Sequence, residues 1–331
     1  MIRIQNILVP VDFSEASKRA VNYGLSLALE FKSRLILAHI AHYDPAAYDK
    51  AKLDLMELIP PDCRDPLSFE IIVKGGDVRS ELMGIVQEKE IDLVIMGTRG
   101  RPYFERMLLG SVTDRMLRKL HVPILTVSHL DPEREIHTPG LVPLRRILYA
   151  TDLANGSEEG LKFSIRLAHG LDASLLVVHV IQLADAAFHG IEAAAFFPDY
   201  ANEIRARAEE RLDRLVALIS DGSVPISTAL AEGVPYETVN RLAEQYKADL
   251  IIINLQNKGL LERAVLGATA ERVIRTATVP VLSLPLPALY ASRWVTVGAG
   301  FSRRADWSSN FKQSGQKPPA SDKAGAYEEA L

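Results

Sequence analysis

The fold of this chain is decided by the stretch Ile91–Val127, IDLVIMGTRGRPYFERMLLGSVTDRMLRKLHVPILTV. It opens with an apolar run, Leu93–Met96, whose continuous hydrophobicity is typical of a strand that is buried on both faces. Gly97 ends that run, and after a loop the apolar residues recur at helical spacing over Val112–Leu120. A second apolar run, Val122–Val127, follows. A strand, a loop, a helix and another strand in this order predict part of a parallel α/β sheet.

The loop between this strand and this helix contains the residue types of an anion site. Gly97 and Gly100 would let the backbone approach a ligand closely, and Gly110 precedes a helix that begins near Ser111. The first N–H groups of a helix have no partner within it, and together with the helix dipole they favour a negative charge. The hydroxyls of Ser111 and Thr113 are donors suited to phosphate oxygens. The pattern predicts a phosphate-binding loop, with glycines in tight turns as the alternative interpretation.

This spacing, Gly97-x-x-Gly100, nine residues and then Gly110-Ser111, resembles the ATP-binding motif of the universal stress protein family. The stretch Leu120–Leu125 also resembles the last strand of that family. The resemblance implies an open parallel sheet of five strands in the order 3-2-1-4-5, as in adenine nucleotide α-hydrolase-like folds, with ATP held in the loop. It gives ATP as the cofactor and leaves open whether Mg²⁺ accompanies it.

The chain contains this unit twice. Asn6–Phe13 aligns with Arg146–Leu153 at an offset of 140 residues, and Ile91–Met96 aligns with Ala248–Ile253 at an offset of 157. In both copies short apolar strands alternate with amphipathic helices, which favours a parallel sheet. We therefore predict an α/β fold of two tandem, open, parallel five-stranded sheets flanked by helices.

The repeats also predict the domain boundaries. Domain 1 spans residues 1–130 and carries the intact motif, residues 131–143 form a linker, and domain 2 spans residues 144–286. Residues 287–331 form a polar tail that is predicted to be partly disordered. Domain 2 is longer because of the insert Ala184–Tyr200, whose aromatic residues predict either an apolar ligand pocket or a cover for the sheet edge.

Local signals predict where some elements begin. Ser14 and Asp77 are each expected to cap the start of a helix, because their side chains accept hydrogen bonds from backbone N–H groups. Between the two caps we predict a helix around Tyr48–Leu58 and then a loop over Pro60–Pro66. Cys63, the one cysteine of the chain, falls in that loop and is given no role. A single cysteine excludes an internal disulfide and a multi-cysteine metal site.

Composition is that of an ordinary globular protein. The chain is 48% hydrophobic and 24% charged. A net charge of −4 and a pI of about 6.1 give no electrostatic reason to expect nucleic acid as a partner. No apolar run approaches the ~20 residues that span a bilayer, and the first residues predict a strand rather than a secretory signal. We therefore expect a cytoplasmic protein without a membrane span.

The predicted site lies where strands 1 and 4 end. In an open parallel sheet, ligands bind at the carboxyl ends of the strands where the strand order reverses, and in the order 3-2-1-4-5 that point lies between these two strands. The resemblance assigns Asp12 to the adenosine, places Val11 and Ile40 beside the base, and gives the two glycine segments to the phosphates. Arg99 either adds positive charge or is a solvated loop residue. The predicted nucleotide-binding residues are Val11, Asp12, Ile40, Met96, Gly97, Arg99, Gly100, Gly110, Ser111, Val112 and Thr113.

Neither catalytic nor metal-ligating residues are predicted. The chain has no P-loop, no G-x-S-x-G and no H-E-x-x-H motif. His39 and His179 occupy equivalent positions near the ends of strands, where a structural role is expected. Without a placed general base, ATP turnover is predicted to be slow at most. The predicted function is therefore a regulatory, ATP-binding stress-response protein, and the alternative is a nucleotide-independent scaffold or a small-ligand or lipid-binding protein that uses the insert of domain 2.

Assembly and site asymmetry complete the predictions. The last strands, Val122–Val127 and Val279–Leu284, would leave unpaired edges, and in the family such strands pair between two subunits. The resemblance thus implies that this chain pairs them internally as a pseudo-dimer, with a further homodimer left open. In the second copy the motif is degenerate, because Asn254 replaces Gly97, Asn257 replaces Gly100 and Ala268 replaces Ser111. The Asn254 side chain is expected to fill space that a phosphate needs, so nucleotide is predicted in domain 1 alone.

Overall fold

The computed structural model of the protein describes residues 2–41, 45–98, 109–128, 142–154, 156–182, 198–255 and 266–285. The first repeat contains β1 (Asn6–Pro10), α1 (Glu15–Phe31), β2 (Arg34–Ala41), α2 (Pro45–Glu57), α3 (Pro61–Arg64), β3 (Phe69–Gly75), α4 (Val78–Glu88), β4 (Leu93–Gly97), α5 (Ser111–Lys119) and β5 (Ile124–Val127). The second contains β6 (Arg146–Thr151), α6 (Ser157–Gly170), β7 (Ser174–Ile181), α7 (Pro198–Ile219), β8 (Ile226–Glu232), α8 (Pro235–Gln245), β9 (Leu250–Asn254), α9 (Ala268–Thr276) and β10 (Val281–Leu284).

The strands form one sheet in the order β3-β2-β1-β4-β5-β10-β9-β6-β7-β8. Within each half, neighbouring strands are parallel and follow the order 3-2-1-4-5, which confirms the predicted α/β fold. The two halves are not separate sheets, because β5 and β10 pair antiparallel and make the sheet continuous. The predicted pairing of the two last strands within the chain is therefore observed.

The seam between the halves brings equivalent residues together. Leu125 pairs with Leu282, which is its equivalent in the second repeat, and Thr126 pairs with Val281. On the other side of the central pair, Ile124 lies opposite the equivalent of Thr126. A self-complementary register of this kind is what a two-fold axis produces between two identical copies. The Thr126 hydroxyl also donates a hydrogen bond across the seam to the Val281 carbonyl, at 3.0 Å.

The strands in the middle of each half are mostly apolar because helices cover both faces of the sheet. Along β1, Ile7 and Val9 lie in a core shared with α1, α2, α6 and α7, whereas Leu8 lies in a core shared with α4, α5, α8 and α9. All three side chains are fully buried. Successive strand residues point to opposite faces, so a two-sided sheet requires an unbroken apolar run. The continuous runs of the sequence reflect this burial.

The helix caps and the region before β3 test the local predictions. The Ser14 side chain accepts from the Ser17 N–H at 3.3 Å, and Asp77 accepts from the Ser80 N–H at 3.0 Å, so both predicted caps are confirmed. The helix predicted around Tyr48–Leu58 is present as α2. The loop predicted around Cys63 is wrong, because α3 forms there and buries the thiol. A proline at the first helical position has its φ already set for a helix, and α3 begins with one.

Within the described ranges, no helix is both long enough and apolar enough to cross a bilayer. Several predictions concern other parts of the chain. Most of the linker, most of the insert Ala184–Tyr200 and all of the tail 287–331 lie outside the described residues.

Candidate nucleotide site

Helix α5 is tied to the end of β4 by two hydrogen bonds. The Gly110 N–H donates to the Thr98 carbonyl at 2.8 Å, and the Thr113 hydroxyl donates to the Gly97 carbonyl at 2.9 Å. Thr98 is itself held to the neighbouring strand, since its N–H donates to the Val127 carbonyl at 3.0 Å. The start of α5 is thereby fixed at the carboxyl edge of the sheet, where the strand order reverses.

The start of α5 has the donors that an anion requires. Gly110 precedes the helix with φ −59° and ψ 138°, and no side chain caps the helix among the described residues. The N–H groups of Ser111, Val112 and Thr113 have no carbonyl partner inside the helix, because they belong to its first turn. Ser111 is exposed, so its hydroxyl is available as well. These groups together favour a phosphate.

Thr113 differs from its predicted role. Its side chain is buried, and its hydroxyl proton is used in the hydrogen bond to the Gly97 carbonyl. A hydroxyl has one proton to donate, so the predicted donation from this hydroxyl to a phosphate is wrong. Thr113 instead orients α5, and its backbone N–H is the group it offers to a ligand.

Gly97 has a reason to be glycine that involves no ligand. A Cβ at this position would lie 2.7 Å from the Cβ of Ala16 and 2.9 Å from the Ala16 carbonyl carbon. Such distances are far inside van der Waals contact, so a side chain here would push α1 away from the sheet. The close packing of α1 on β4 accounts for this glycine.

The turn after β1 presents Asp12 at the same edge. The Asp12 Oδ1 atom accepts hydrogen bonds from the Ser14 N–H at 3.1 Å and from the Ser14 hydroxyl at 2.5 Å. Phe13, between them, has a left-handed φ of 62°. Val11 is buried, and its N–H donates to the Ala38 carbonyl at 2.8 Å. The carboxylate is therefore exposed but held in one orientation, as in an Asx turn.

The remaining predicted residues divide between the two faces of the sheet. The side chains of Ile40 and Met96 pack in the core shared with α4 and α5, whereas Val11 packs in the core shared with α1. Val11 and Ile40, which the resemblance places beside the base, therefore have their side chains on opposite faces of the sheet. Arg99 and Gly100 lie outside the described residues.

His39 joins the ends of the first two strands, a contact that sequence reasoning did not predict. Its Nδ1 atom lies 2.7 Å from the Val11 carbonyl oxygen, and its ring centroid lies 4.8 Å from that of Phe13. His179 makes the equivalent contact in the second repeat, with Nδ1 2.9 Å from the Thr151 carbonyl oxygen. The recurrence of a histidine at equivalent positions was the signal in the sequence.

In the second repeat, Asn254 takes the position of Gly97 but does not occupy the space expected. Its Nδ2 atom donates to the Tyr149 hydroxyl and to the Gly156 carbonyl, both at 3.0 Å. This places the amide between β9 and α6, and a Cβ on Gly160 would lie 2.4 Å from its oxygen. The prediction that Asn254 fills the phosphate space is wrong, because a glycine on α6 makes room for it under the helix. Asn257 lies outside the described residues.

The phenol of Tyr149 belongs to the same buried network. It donates to the Ser157 carbonyl at 3.1 Å and accepts from Asn254. Burial raises the pKa of Tyr149 well above its ordinary value. The phenol therefore stays neutral and serves as a hydrogen-bonding strut between strand and helix.

The start of α9 repeats the backbone of α5 but has no hydroxyl at the positions of Ser111 and Thr113, and Thr269 carries one between them. Gly267 precedes it with φ −59° and ψ 142°, which nearly match the angles of Gly110. Ala268 stands where the first repeat has Ser111, and Ala270 stands where it has Thr113. The two helix starts therefore offer the same N–H groups, and among the described residues they differ in the side chains around them.

Comparison with known proteins agrees with this architecture. The profile of the universal stress protein family matches the chain twice, over residues 3–128 and 143–285. Universal stress protein MJ0531 of Methanocaldococcus jannaschii is 32% identical over 143 residues, which cover 43% of this chain and 83% of that protein. The universal stress protein E homolog of Haemophilus influenzae is 26% identical over 212 residues, covering 60% and 63% of the two chains.

A solved structure agrees with the described fold. The crystal structure of a universal stress protein from Archaeoglobus fulgidus has a TM-score of 0.63 at 19% identity, over 86% of this chain and 98% of that chain. At this identity the likeness concerns the fold. With two profile matches that together span most of its residues, the chain belongs to the universal stress protein family and carries the family's domain in tandem.

Proposed function

We propose that this protein binds ATP in its first repeat and acts as a regulatory, cytoplasmic nucleotide-binding protein of the stress response. The start of α5, which no side chain in the described ranges caps, carries the proposal, because it is held at the edge of the sheet where the strand order reverses. Ligands of open α/β sheets bind at such a point, and phosphates bind at helix starts. In this proposal domain 1 spans residues 1–130 and domain 2 spans residues 144–286.

The donors of α5 match the acceptors of a triphosphate. Phosphate oxygens accept from the first N–H groups of the helix and from the Ser111 hydroxyl. The exposed carboxylate of Asp12 accepts from a sugar hydroxyl, and Ile40 supplies apolar surface beside the base. Arg99 and Gly100 complete the phosphate loop in the proposal, and Mg²⁺ accompanies the phosphates.

Hydrolysis is proposed to be slow or absent. Two titratable side chains at this edge, Asp12 and His39, are each held by a hydrogen bond within the protein. A general base must contact the attacking water in order to act. The arrangement favours a protein whose output depends on nucleotide occupancy rather than on turnover.

The proposal includes one nucleotide per chain. The backbone donors of α5 and α9 are alike, so the difference rests on the Ser111 hydroxyl, which Ala268 lacks, and on the loops before the helices. A hydrogen bond to a charged oxygen contributes about 1.5–3 kcal/mol, or roughly 10-fold to 100-fold in affinity. The second repeat is therefore expected to bind ATP more weakly by at least this factor.

Isothermal titration calorimetry with ATP tests the proposal. We expect one tight site per chain, and Ser111→Ala should weaken it by roughly tenfold or more. Ala268→Ser is the matched control and should leave the tight site unchanged. Gly110→Val should also weaken binding, and it should do so without backbone strain, because φ at this position suits any residue. Two tight sites per chain, or an unchanged affinity in Ser111→Ala, would overturn the proposal.

We also propose that the two repeats form a pseudo-dimer within the chain. The self-complementary register of β5 and β10 supports it, and so does a charge contact across the seam. Arg118 on α5 forms an ion pair with Asp114 in its own repeat at 2.9 Å, and its guanidinium lies 3.5 Å from Glu271 on α9. Because Glu271 is the equivalent of Asp114, the same arginine contacts the same position of both repeats.

A further inference from the structure

We infer that His39 is a positioning residue of the nucleotide site, an inference that rests on the function proposed above. Its side chain contacts the residues on either side of Asp12. The Nδ1 atom lies 2.7 Å from the Val11 carbonyl oxygen, and the ring lies 4.8 Å from the ring of Phe13, tilted by 50°. His39 thereby fixes the backbone from which the Asp12 carboxylate projects.

The chemistry of this contact determines which nitrogen carries the proton. A carbonyl oxygen only accepts hydrogen bonds, so Nδ1 of His39 must donate. In the neutral ring the proton is therefore on Nδ1, and Nε2 is left as an acceptor. The imidazolium form keeps the same donor, so the contact persists in both charge states of the ring.

The turn needs this support because the sheet ladder stops before it. The pairing of β1 with β2 ends at Pro10 and Ala38, followed by one further hydrogen bond from the Val11 N–H to Ala38. The next residue of β2 is His39, which continues the link with its side chain. Beyond it, Phe13 adopts a φ of 62°, a conformation that residues other than glycine rarely occupy. The histidine thus bridges from regular strand to strained turn.

The second repeat contains an equivalent histidine contact at the turn after β6. His179 Nδ1 lies 2.9 Å from the Thr151 carbonyl oxygen, and Leu153 has a φ of 56°. Asp152 accepts from the Ala154 N–H at 3.0 Å, as Asp12 does from Ser14. If nucleotide binds in the first repeat, His179 is an internal control for any effect on folding alone.

Two substitutions separate the positioning role from general packing. In His39→Asn the amide N–H can occupy the place of Nδ1–H, whereas in His39→Gln the amide lies one bond further out, near the place of Nε2. By calorimetry with ATP we expect His39→Gln to weaken binding by about tenfold and His39→Asn by no more than about threefold. His179→Gln should lower thermal stability as His39→Gln does, yet leave ATP affinity unchanged.

The outcomes distinguish this inference from the proposed function. Wild-type protein that binds no ATP overturns both. Wild-type binding with an unchanged affinity in His39→Gln, or equal losses in the Asn and Gln variants, overturns the positioning role alone.

A spectroscopic measurement covers the case in which His39→Gln does not fold. In ¹⁵N-labelled wild-type protein at about pH 8.5, we expect a protonated Nδ1 for His39 and a shift of its signals on saturation with ATP, while those of His179 stay in place. A proton on Nε2, or signals that ATP leaves unmoved, would overturn the inference.

Discussion

Replacing Gly97 with alanine tests whether this glycine serves packing. The new Cβ would lie 2.7 Å from the Ala16 Cβ, 2.9 Å from the Ala16 carbonyl carbon and 3.1 Å from its oxygen. Two of these three atoms belong to the backbone of α1 and cannot rotate away. An extra methyl group in a packed core costs about 1–3 kcal/mol, and contact with backbone places Gly97→Ala near the upper end. We expect a loss of about 2–3 kcal/mol in the free energy of unfolding, measured by urea denaturation.

A double-mutant cycle with Ala16→Gly provides the control. Ala16→Gly alone costs up to about 1 kcal/mol as a glycine in a helix, and in the Gly97→Ala background it removes the contact at 2.7 Å. In the double variant, part of the free energy of unfolding that Gly97→Ala removes should be recovered, because the contact with the Ala16 Cβ is gone. The recovery should be incomplete, because the two contacts with the backbone of residue 16 remain. If Gly97→Ala unfolds at the same urea concentration as wild type and loses ATP binding alone, the packing explanation is refuted and the glycine serves ligand approach.

Three further predictions concern the second repeat, the seam and acid. Asn254→Gly introduces the residue of the first repeat, removes two hydrogen bonds and leaves the Gly156 carbonyl without this donor. We expect it to lower the free energy of unfolding by about 2–3 kcal/mol. Thermal denaturation measures this, and an unchanged melting temperature would contradict the prediction. Residues 1–140 alone should dimerise through the exposed β5 edge, and a stable monomer in sedimentation at high concentration would exclude this. The pKa of Asp77 is lowered because its carboxylate accepts a hydrogen bond from the Ser80 N–H. The charged carboxylate therefore stabilises the folded protein at pH values above the ordinary carboxyl pKa, and this stabilisation is lost as the pH falls through the pKa of Asp77 in the folded protein. Asp77→Asn keeps the cap at every pH and should reduce the acid-induced loss of stability, whereas an unaltered pH profile would contradict this cause.

The elements of the fold could be predicted because burial on two faces leaves a plain trace in the sequence. The apolar run Leu93–Met96 predicts β4 to within one residue of its end at Gly97. The strand order could not be predicted from these apolar runs, because they carry no information about which strands become neighbours. It was implied by the resemblance to a family. The pairing of the two last strands was also implied by the resemblance, and the structure supplied its antiparallel register.

Side-chain partners were the part that sequence could not supply. The hydroxyl of Thr113 was recognised as a donor, but its acceptor is the carbonyl of Gly97 on another element. The amide of Asn254 finds its partners in Tyr149 and Gly156, about one hundred residues earlier in the chain. A residue type defines which bonds a group can make, whereas packing decides which partner lies within reach.

One signal in the sequence had a physical cause that only the structure reveals. Asp92 and Asp249 lie at equivalent positions in the aligned stretches Ile91–Met96 and Ala248–Ile253, and each holds the start of the first strand of its repeat. Asp92 accepts from the N–H groups of Gln5 and Asn6 at 2.8 and 3.0 Å. Asp249 accepts in the same way from the N–H groups of Arg145 and Arg146, at 2.9 and 2.8 Å. An aspartate that recurs before the fourth strand of each repeat thus indicates hydrogen bonds that join this strand to the start of the first one.

The pairing of Leu125 with Leu282 joins two halves of one molecule, so dilution does not separate them. Two subunits meeting through the same edge would part at low abundance, whereas tethered partners keep a fixed effective concentration. The two strands of the seam also need not have the same sequence, because they belong to one chain. The Thr126 hydroxyl donates a hydrogen bond across the seam, whereas the hydroxyl of its equivalent, Ser283, has no partner among the described residues. The helix that leads into β5 is therefore held in place at any expression level. The occupancy of a site at this helix would therefore depend on the concentration of the ligand and would not depend on the association of two protein chains.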